Sequence, residues 1–288
     1  MSAAFRPRRS VLYMPSSNAR ALEKAKTLPA DAIIFDLEDA VAPDAKPAAR
    51  QAAATAVQSG EYGRRELIIR VNGIGTRWHD EDVSVAAQAG PDVVLVPKVN
   101  SAAEVEQLVT ALERAGAPDQ TTLWAMVETP IAMLNALSIA QASPRLTGFV
   151  MGTNDLVKEL YAEHVPGRRP VITGLALALL AARAAGIVII DGVYNDVKDI
   201  DGFLAECIQG REMGFDGKTL IHPGQVEGAN SVFAPSQQAV EDARGLIQAW
   251  EDGQGSGVVT FNGRMVENLH VESARRTLAI ADAIAALA

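Results

Sequence analysis

Leu-Trp-Ala-Met-Val-Glu-Thr-Pro at 123–130 and Gly-Phe-Val-Met-Gly-Thr-Asn-Asp-Leu at 148–156 decide the architecture of this chain. Each is a short apolar run that does not alternate with polar residues, the pattern of a strand buried on both faces of a parallel sheet. Each stops at polar residues and passes into a segment with apolar residues at helical spacing, such as Pro130 to Ala140. The same unit recurs in both directions. Ala-Ile-Ile-Phe, Leu-Ile-Ile-Arg-Val and Val-Val-Leu-Val lie upstream and Ile-Val-Ile-Ile downstream, so strands should begin near Ser10, Ala32, Glu66, Asp92, Thr121, Leu146, Ile187 and Phe215. Helices fill the intervals, one of them over Ser101 to Ala115. Eight such units predict an α/β fold, a (β/α)8 TIM barrel, although six or seven units in a doubly wound open sheet would give a similar pattern.

After the eighth unit the rhythm changes. Pro235 and Ser236 open a helix to about Trp250, a possible strand pair spans Val258 to Val266, and a last helix runs from about Val271. The Gly253–Gly257 stretch follows a helix, whereas a phosphate-binding glycine loop follows a strand and opens a helix, so it reads as a flexible linker. The expected organisation is a barrel over residues 1–233 and a C-terminal helical extension over 234–288.

Composition narrows the class. With 288 residues, 48% of them hydrophobic, the chain can bury one sizeable core. A net charge of −9 repels nucleic-acid phosphates, and no nucleic-acid partner is expected, while Arg20, Lys24 and Lys26 offer local positive charge to a small polyphosphate. No apolar stretch reaches the roughly 18 residues of a membrane span. The basic start at Arg6, Arg8 and Arg9 leads only to a short run ending at Pro15, so neither a signal peptide nor a membrane anchor is expected and the chain should stay in the cytoplasm. Cys207, the single cysteine, excludes internal disulfides and cysteine-rich zinc sites and is expected in the core. Gly-x-Ser-x-Gly, Walker, His-Glu-x-x-His and Cys-x-x-Cys motifs are absent, and His79, His164 and His270 lack ligand spacing.

In a barrel, chemistry gathers where strands end. The second run ends in Asp36, Glu38 and Asp39, the third in Arg70 and Asn72, the fourth in Lys98 and the fifth in Glu128. The sixth delivers Asn154 and Asp155, the seventh Asp191 and Asn195, the eighth Lys218 and His222. Singly, each reads as a helix cap or a solvated charge; converging on one rim, they make a site. Glu128 and Asp155 are two carboxylates with no histidine or thiolate beside them, and hard oxygen ligands of this kind suit Mg²⁺. Asp155 has a second reading as N-cap of a helix through Leu156 to Leu160. Arg70 ends a buried run, where a charge is costly unless paired or functional. Glu38 could pair it, or its fork could face a developing enolate or carboxylate.

With these landmarks the chain closely resembles the citrate lyase β-subunit-like enzymes, the HpcH/HpaI aldolase/citrate lyase group that includes malyl-CoA lyase, citramalyl-CoA lyase and (3S)-malyl-CoA thioesterase. The resemblance covers almost the full length. It rests on Ser-Val-Leu-Tyr-Met-Pro at 10–15, Ile-Ile-Phe-Asp-Leu-Glu-Asp-Ala-Val at 33–41, Arg-Val-Asn-Gly at 70–73 and Val-Pro-Lys at 96–98. Val-Glu-Thr-Pro at 127–130, Gly-Thr-Asn-Asp-Leu at 152–156 and Gly-Lys-Thr-Leu-Ile-His-Pro at 217–223 complete it.

The resemblance implies Mg²⁺ held by Glu128 and Asp155, an acyl-CoA thioester oriented by Arg70, and coenzyme A contacts from Tyr13, Lys24, Ile221 and His222. Asn154 and Asp155 are expected to meet the substrate, and Arg70, Glu267, Glu38 and Asp39 to carry the chemistry. A homotrimer or hexamer is implied, with the tail closing as a lid over the site, often that of a neighbouring subunit. Two departures stand out. Relatives commonly read Pro-Gly-Ser-Arg where this chain has Pro15-Ser16-Ser17-Asn18, so a coenzyme A contact is missing at Asn18, which Arg20 could replace. Family lyases carry an aspartate in the tail as acid/base, where this chain has Glu267, and tails of the thioesterase branch look similar to this one. The leading expectation is carbon–carbon cleavage of malyl-CoA or citramalyl-CoA to acetyl-CoA and glyoxylate or pyruvate. Hydrolysis of the same thioester is the first alternative, and a non-catalytic subunit of a citrate-lyase-like complex the second.

Overall fold

The structure is a computed structural model that describes residues 5–253 and 257–287. The middle of the Gly253–Gly257 linker lies outside the described residues. The chain forms two compact units, Arg8–Asn230 and a second made of the residues before Arg8 together with those from Ser231 onward.

In the first unit strands and helices alternate. They are β1 (Ser10–Pro15), α1 (Ala19–Ala25), β2 (Ala32–Asp36), α2 (Lys46–Gln58), β3 (Glu66–Arg70), α3 (His79–Ala89), β4 (Val93–Val96) and α4 (Ala102–Arg114). There follow β5 (Thr122–Val127), α5 (Pro130–Leu134), α6 (Ala136–Ala140), β6 (Leu146–Met151), α7 (Thr153–Glu159), α8 (Ile172–Ala185), β7 (Val188–Asp191), α9 (Ile200–Met213), β8 (Gly217–Leu220) and α10 (Val226–Phe233). Strands β1 to β8 pair in chain order, and β8 returns to β1 to close the barrel, so the closed fold and not the open sheet is formed. All of these pairings are parallel.

The phase of each strand positions the site. Val11, Ala32, Ile34, Ile68, Val93, Leu95, Trp124, Met126, Val150 and Ile190 form one buried cluster, spaced by two along their strands as side chains that share a face must be. Tyr13, Asp36, Arg70 and Glu128 continue that face at the carboxyl ends. Asp191 and Lys218 fall one residue out of phase and turn outward, where Lys218 meets Glu206 on α9. Trp124 fills the lumen opposite Gly148: a Cβ there would come within 2.7 Å of its ring, so β6 needs glycine at this point.

Two elements differ from expectation. The segment Pro130 to Ala140 is not one helix but two, broken at Asn135, whose side-chain amide donates to the Asn100 carbonyl at 2.9 Å. The helix after β6 begins at Thr153, so Asp155 lies inside its first turn and is not its N-cap; Gly152 occupies that position. Cys207 is wholly buried in α9, and burial pushes its thiol up to about 12. Among the described residues no helix is long and apolar enough to cross a membrane.

In the second unit α11 (Gln237–Asp252), capped by Ser236, packs on α12 (Asn268–Leu287). Between them β9 (Val259–Phe261) and β10 (Arg264–Val266) form an antiparallel hairpin. Its two-residue turn has Asn262 and Gly263 both at positive φ, 48° and 71°, the conformation that matches strand twist and favours Asn-Gly.

Candidate active site

The inward phase of β1 to β6 brings a set of charges to the mouth of the barrel. Asp36 accepts from Arg70 Nε at 2.6 Å and from Nη2 at 2.7 Å, a two-pronged clasp that fixes the guanidinium plane. Arg70 Nη1 lies 2.7 Å from Glu38, and its guanidinium stacks over the Tyr13 ring at 4.7 Å. The suggested Glu38 partner is therefore real, but Asp36, which the sequence reading did not pair with Arg70, makes the stronger clasp. The Asp36 carboxylate also accepts the Glu38 and Ala40 backbone N–H groups, so it shapes the loop that carries Glu38 and Asp39.

Glu128, at the end of β5, is 2% exposed and accepts the Lys98 backbone N–H at 2.8 Å. A Cβ at Gly152 would collide with its carboxylate, so the start of α7 can approach only as glycine. That approach brings in Asp155, whose Oδ1 lies 3.4 Å from Lys98 Nζ. Burial, then the charge of Asp155, pushes Glu128 up to about 7. Burial likewise pushes Glu38 up to about 8, against the pull of Arg70 and with the push of Asp39 and Glu128. Burial raises the Tyr13 hydroxyl as well.

A cavity of about 320 Å³ opens here, lined by Tyr13, Asp36, Asp39, Arg70, Glu128, Asn154, Asp155 and Ile221. Met126, Met151, Thr153, Val193 and Thr219 also line it. These five were not named as site residues, because an apolar or hydroxyl side chain carries neither charge nor a ligand pattern to single it out. A larger recess of about 450 Å³ lies between α7 and α9 and shares only Thr153 and Val193 with it.

The donor set fits Mg²⁺. Glu128 and Asp155 carry mutually repelling carboxylates, one of them nearly dehydrated, and a divalent cation would relieve both. Among the described residues no group of three or more histidine, cysteine, aspartate or glutamate side chains could hold a metal. Two carboxylates, with the remaining positions left to water and substrate, are the usual magnesium arrangement.

The other anticipated residues are placed less tightly. Arg20 and Lys24 are exposed on α1, and Asn18 caps that helix by accepting the Ala21 N–H at 3.1 Å, a structural use for the residue that departs from the family pattern. His222 is exposed and its Nδ1 accepts the Gly224 N–H at 3.1 Å. Asn154 and Asn195 exchange amide hydrogen bonds at 2.7 and 3.1 Å. Glu267 belongs to the second unit, between β10 and α12, with its backbone N–H donating to His270 Nδ1 at 3.0 Å.

The sequence and the fold are shared with known proteins. Residues 9–223 match the model of the HpcH/HpaI aldolase/citrate lyase family. A protein named (3S)-malyl-CoA thioesterase from Cereibacter sphaeroides is 55% identical over 282 residues, 97% of this chain and 96% of the relative. The citrate lyase subunit beta of Escherichia coli is 38% identical over 284 residues, 96% of this chain and 94% of its own. The crystal structure of CitE from Mycobacterium tuberculosis in complex with magnesium, acetoacetate and coenzyme A superposes with a TM-score of 0.78 at 29% identity, covering 95% of this chain and 97% of that one. The chain belongs to the HpcH/HpaI aldolase/citrate lyase family.

Proposed function

We propose that this chain hydrolyses the coenzyme A thioester of a small 3-hydroxydicarboxylic acid, (3S)-malyl-CoA or a close analogue, to the free acid and coenzyme A. The observation that carries it is the identity of 55% along 97% of the chain with a protein of that name, against 38% with citrate lyase subunit beta. The expectation that led the sequence reading, carbon–carbon cleavage, fits these relatives less well than hydrolysis does.

The chain's own residues supply what hydrolysis needs. Asp36 locks the Arg70 fork, whose N–H groups are suited to the oxyanion that forms when water adds to the thioester carbonyl carbon. The carbon–sulfur bond then breaks and the departing thiolate takes a proton. A general base or acid works best with a pKa near the operating pH, and Glu38, at about 8 and 2.7 Å from Arg70, meets that condition. Family resemblance assigns the same proton-transfer role to Glu267, and single Gln variants at the two positions separate the candidates. Glu128 and Asp155 would hold Mg²⁺, which when bound polarises the substrate oxygens that reach it. Tyr13, Lys24, Arg20, Ile221 and His222 are proposed for coenzyme A, Asn154 and Asp155 for the acyl group, and a homotrimer or hexamer for the assembly.

Product analysis tests the reading. The purified chain, given malyl-CoA and Mg²⁺, should release free thiol and malate in equal amounts with no glyoxylate. Acetyl-CoA and glyoxylate as products would replace hydrolysis by cleavage. No turnover by the chain alone, with activity restored by added subunits, would mark it as part of a citrate-lyase-like complex.

A further inference from the structure

Lys46 carries a charge where electrostatics disfavours one. It is 5% exposed and is the first residue of α2, so its ammonium is withdrawn from water and stands at the helix end whose dipole favours anions. No acidic residue occupies the first turn of α2 to offset it. A cation serving only the stability of α2 would be favoured at the other end of the helix. An ammonium has three donors, and here they go to uncharged acceptors: the Leu37 carbonyl at 2.8 Å, the Glu38 carbonyl at 2.7 Å and Asn72 Oδ1 at 2.8 Å. The Trp78 ring lies 5.0 Å from the same ammonium.

What these acceptors share is their place in the barrel. Leu37 and Glu38 follow β2, and Asn72 lies just beyond Arg70 at the end of β3. The Asn72 amide is fixed in orientation, because its Nδ2 donates to the Leu37 carbonyl at 2.9 Å and to Asp82 at 2.5 Å. The ammonium therefore ties together the two strand ends that bring Glu38 and Arg70 within 2.7 Å of each other. At Glu38 both backbone polar groups are held, the N–H by Asp36 at 2.9 Å and the carbonyl by Lys46. Only the side-chain torsions of Glu38 are left to vary.

We propose, resting on the proton-transfer role given to Glu38 above, that Lys46 is a positioning residue: its buried ammonium fixes the Glu38 backbone and so holds the Glu38 carboxyl against the Arg70 fork. A displacement of about 1 Å in such a group can cost about 10²-fold in rate.

A double-mutant cycle on the purified full chain with Mg²⁺ and malyl-CoA tests this. Total consumption of malyl-CoA is the measure, so that cleavage in place of hydrolysis would correct the reaction without touching Lys46. Lys46→Met keeps the aliphatic stem and removes the donors. At a temperature where its circular dichroism matches that of the wild type, kcat should fall by about 10²-fold with KM little changed. Glu38→Gln should slow turnover by itself, and adding Lys46→Met to it should cost nothing further, because the group that Lys46 positions is gone. Lys46→Gln, which keeps an N–H donor, should lose less than Lys46→Met, and it carries the same cycle should Lys46→Met not fold. A folded Lys46→Met enzyme with the wild-type kcat would overturn the proposal. Losses that multiply in the double variant, with Glu38→Gln itself slow, would overturn it too and leave the role of Glu38 standing. A wild-type rate in Glu38→Gln alone would overturn that role, and the proposal with it.

Discussion

The strand ends of β2 to β6 and those of β7 and β8 both bury charge, but with opposite balance. At the first, Asp36, Glu38, Asp39, Glu128 and Asp155 outnumber the nearby cations Arg70, Lys98 and Lys46, and burial together with this excess shows as carboxyl groups pushed up to about 7 and 8. At the second, Asp191 and Glu206 face Arg168 and Lys218. Arg168 Nη1 reaches both Asp191 oxygens at 2.6 and 2.8 Å, and Lys218 Nζ lies 3.2 Å from Asp191 and 2.7 Å from Glu206. Burial works against the Asp191 charge, yet Lys218, Arg168 and the Gly192 N–H hold it below the ordinary carboxylate range. Arg168 keeps a left-handed φ of 53° to make these bonds, a strained conformation for a residue with a side chain. Strand phase separates the two groups: the first points into the lumen beside a cavity, the second outward against α9. A balanced buried cluster is costly to break, whereas an unbalanced one suits the cation proposed for it.

Substitutions should therefore fail in opposite ways. Glu128→Gln or Asp155→Asn should lower turnover by on the order of 10³-fold, about 4 kcal/mol of transition-state stabilisation. Melting temperature should hold or rise, because a repulsion is relieved; a fall in both would make the pair structural. In the second cluster, Lys218→Met leaves Asp191 and Glu206 short of a cation. Breaking a buried pair costs about 3–5 kcal/mol, and at roughly 2–4 °C per kcal/mol the melting midpoint should drop by about 10 °C. Turnover at a temperature where the variant is folded should change little. Calorimetry with parallel rate measurements decides both.

Much of this was legible in the sequence, and the limits have physical causes. Strands β1, β2, β3 and β6 begin at the expected residue, and β4, β5, β7 and β8 within two residues, because continuous apolar runs bounded by polar ones admit few other readings. Phase was not legible. A run buried on both faces, such as Ile187–Ile190, carries no alternation to tell inward from outward, so Asp191 and Lys218 were grouped with the rim they turn away from. Arg168 was not singled out at all, since it stands in a loop of Gly, Arg and Pro with no apolar run to place it.

Arg70→Lys sharpens the contrast from inside the first cluster. The charge stays, but the fork that Asp36 grips from two nitrogens is lost. A decrease of about 10²-fold in kcat, with a smaller change in KM, is the expected signature of a donor aimed at the transition state. A raised KM with kcat unchanged would reduce Arg70 to a ground-state contact.

The effects of pH run in opposite directions in the two clusters. Glu38 binds its proton more tightly folded, at about 8, than unfolded, near 4.3. The folded state then holds the extra proton between these values, so this group's contribution to stability declines as pH rises from about 4.3 to 8. Asp191 behaves in reverse: its folded value is depressed, so its contribution is present above about 3.9 and is lost as pH falls through that lower value. Glu38→Gln removes one titration and not the other. The melting temperature of Glu38→Gln minus that of the wild type should therefore climb, by up to about 10 °C, between pH 5 and 8 and then level off. Asp191→Asn should show its largest deficit at neutral pH and converge on the wild type only in acid. A Glu38→Gln difference that stays flat with pH would mean that Arg70 already neutralises Glu38, and the first cluster would then be as balanced as the second.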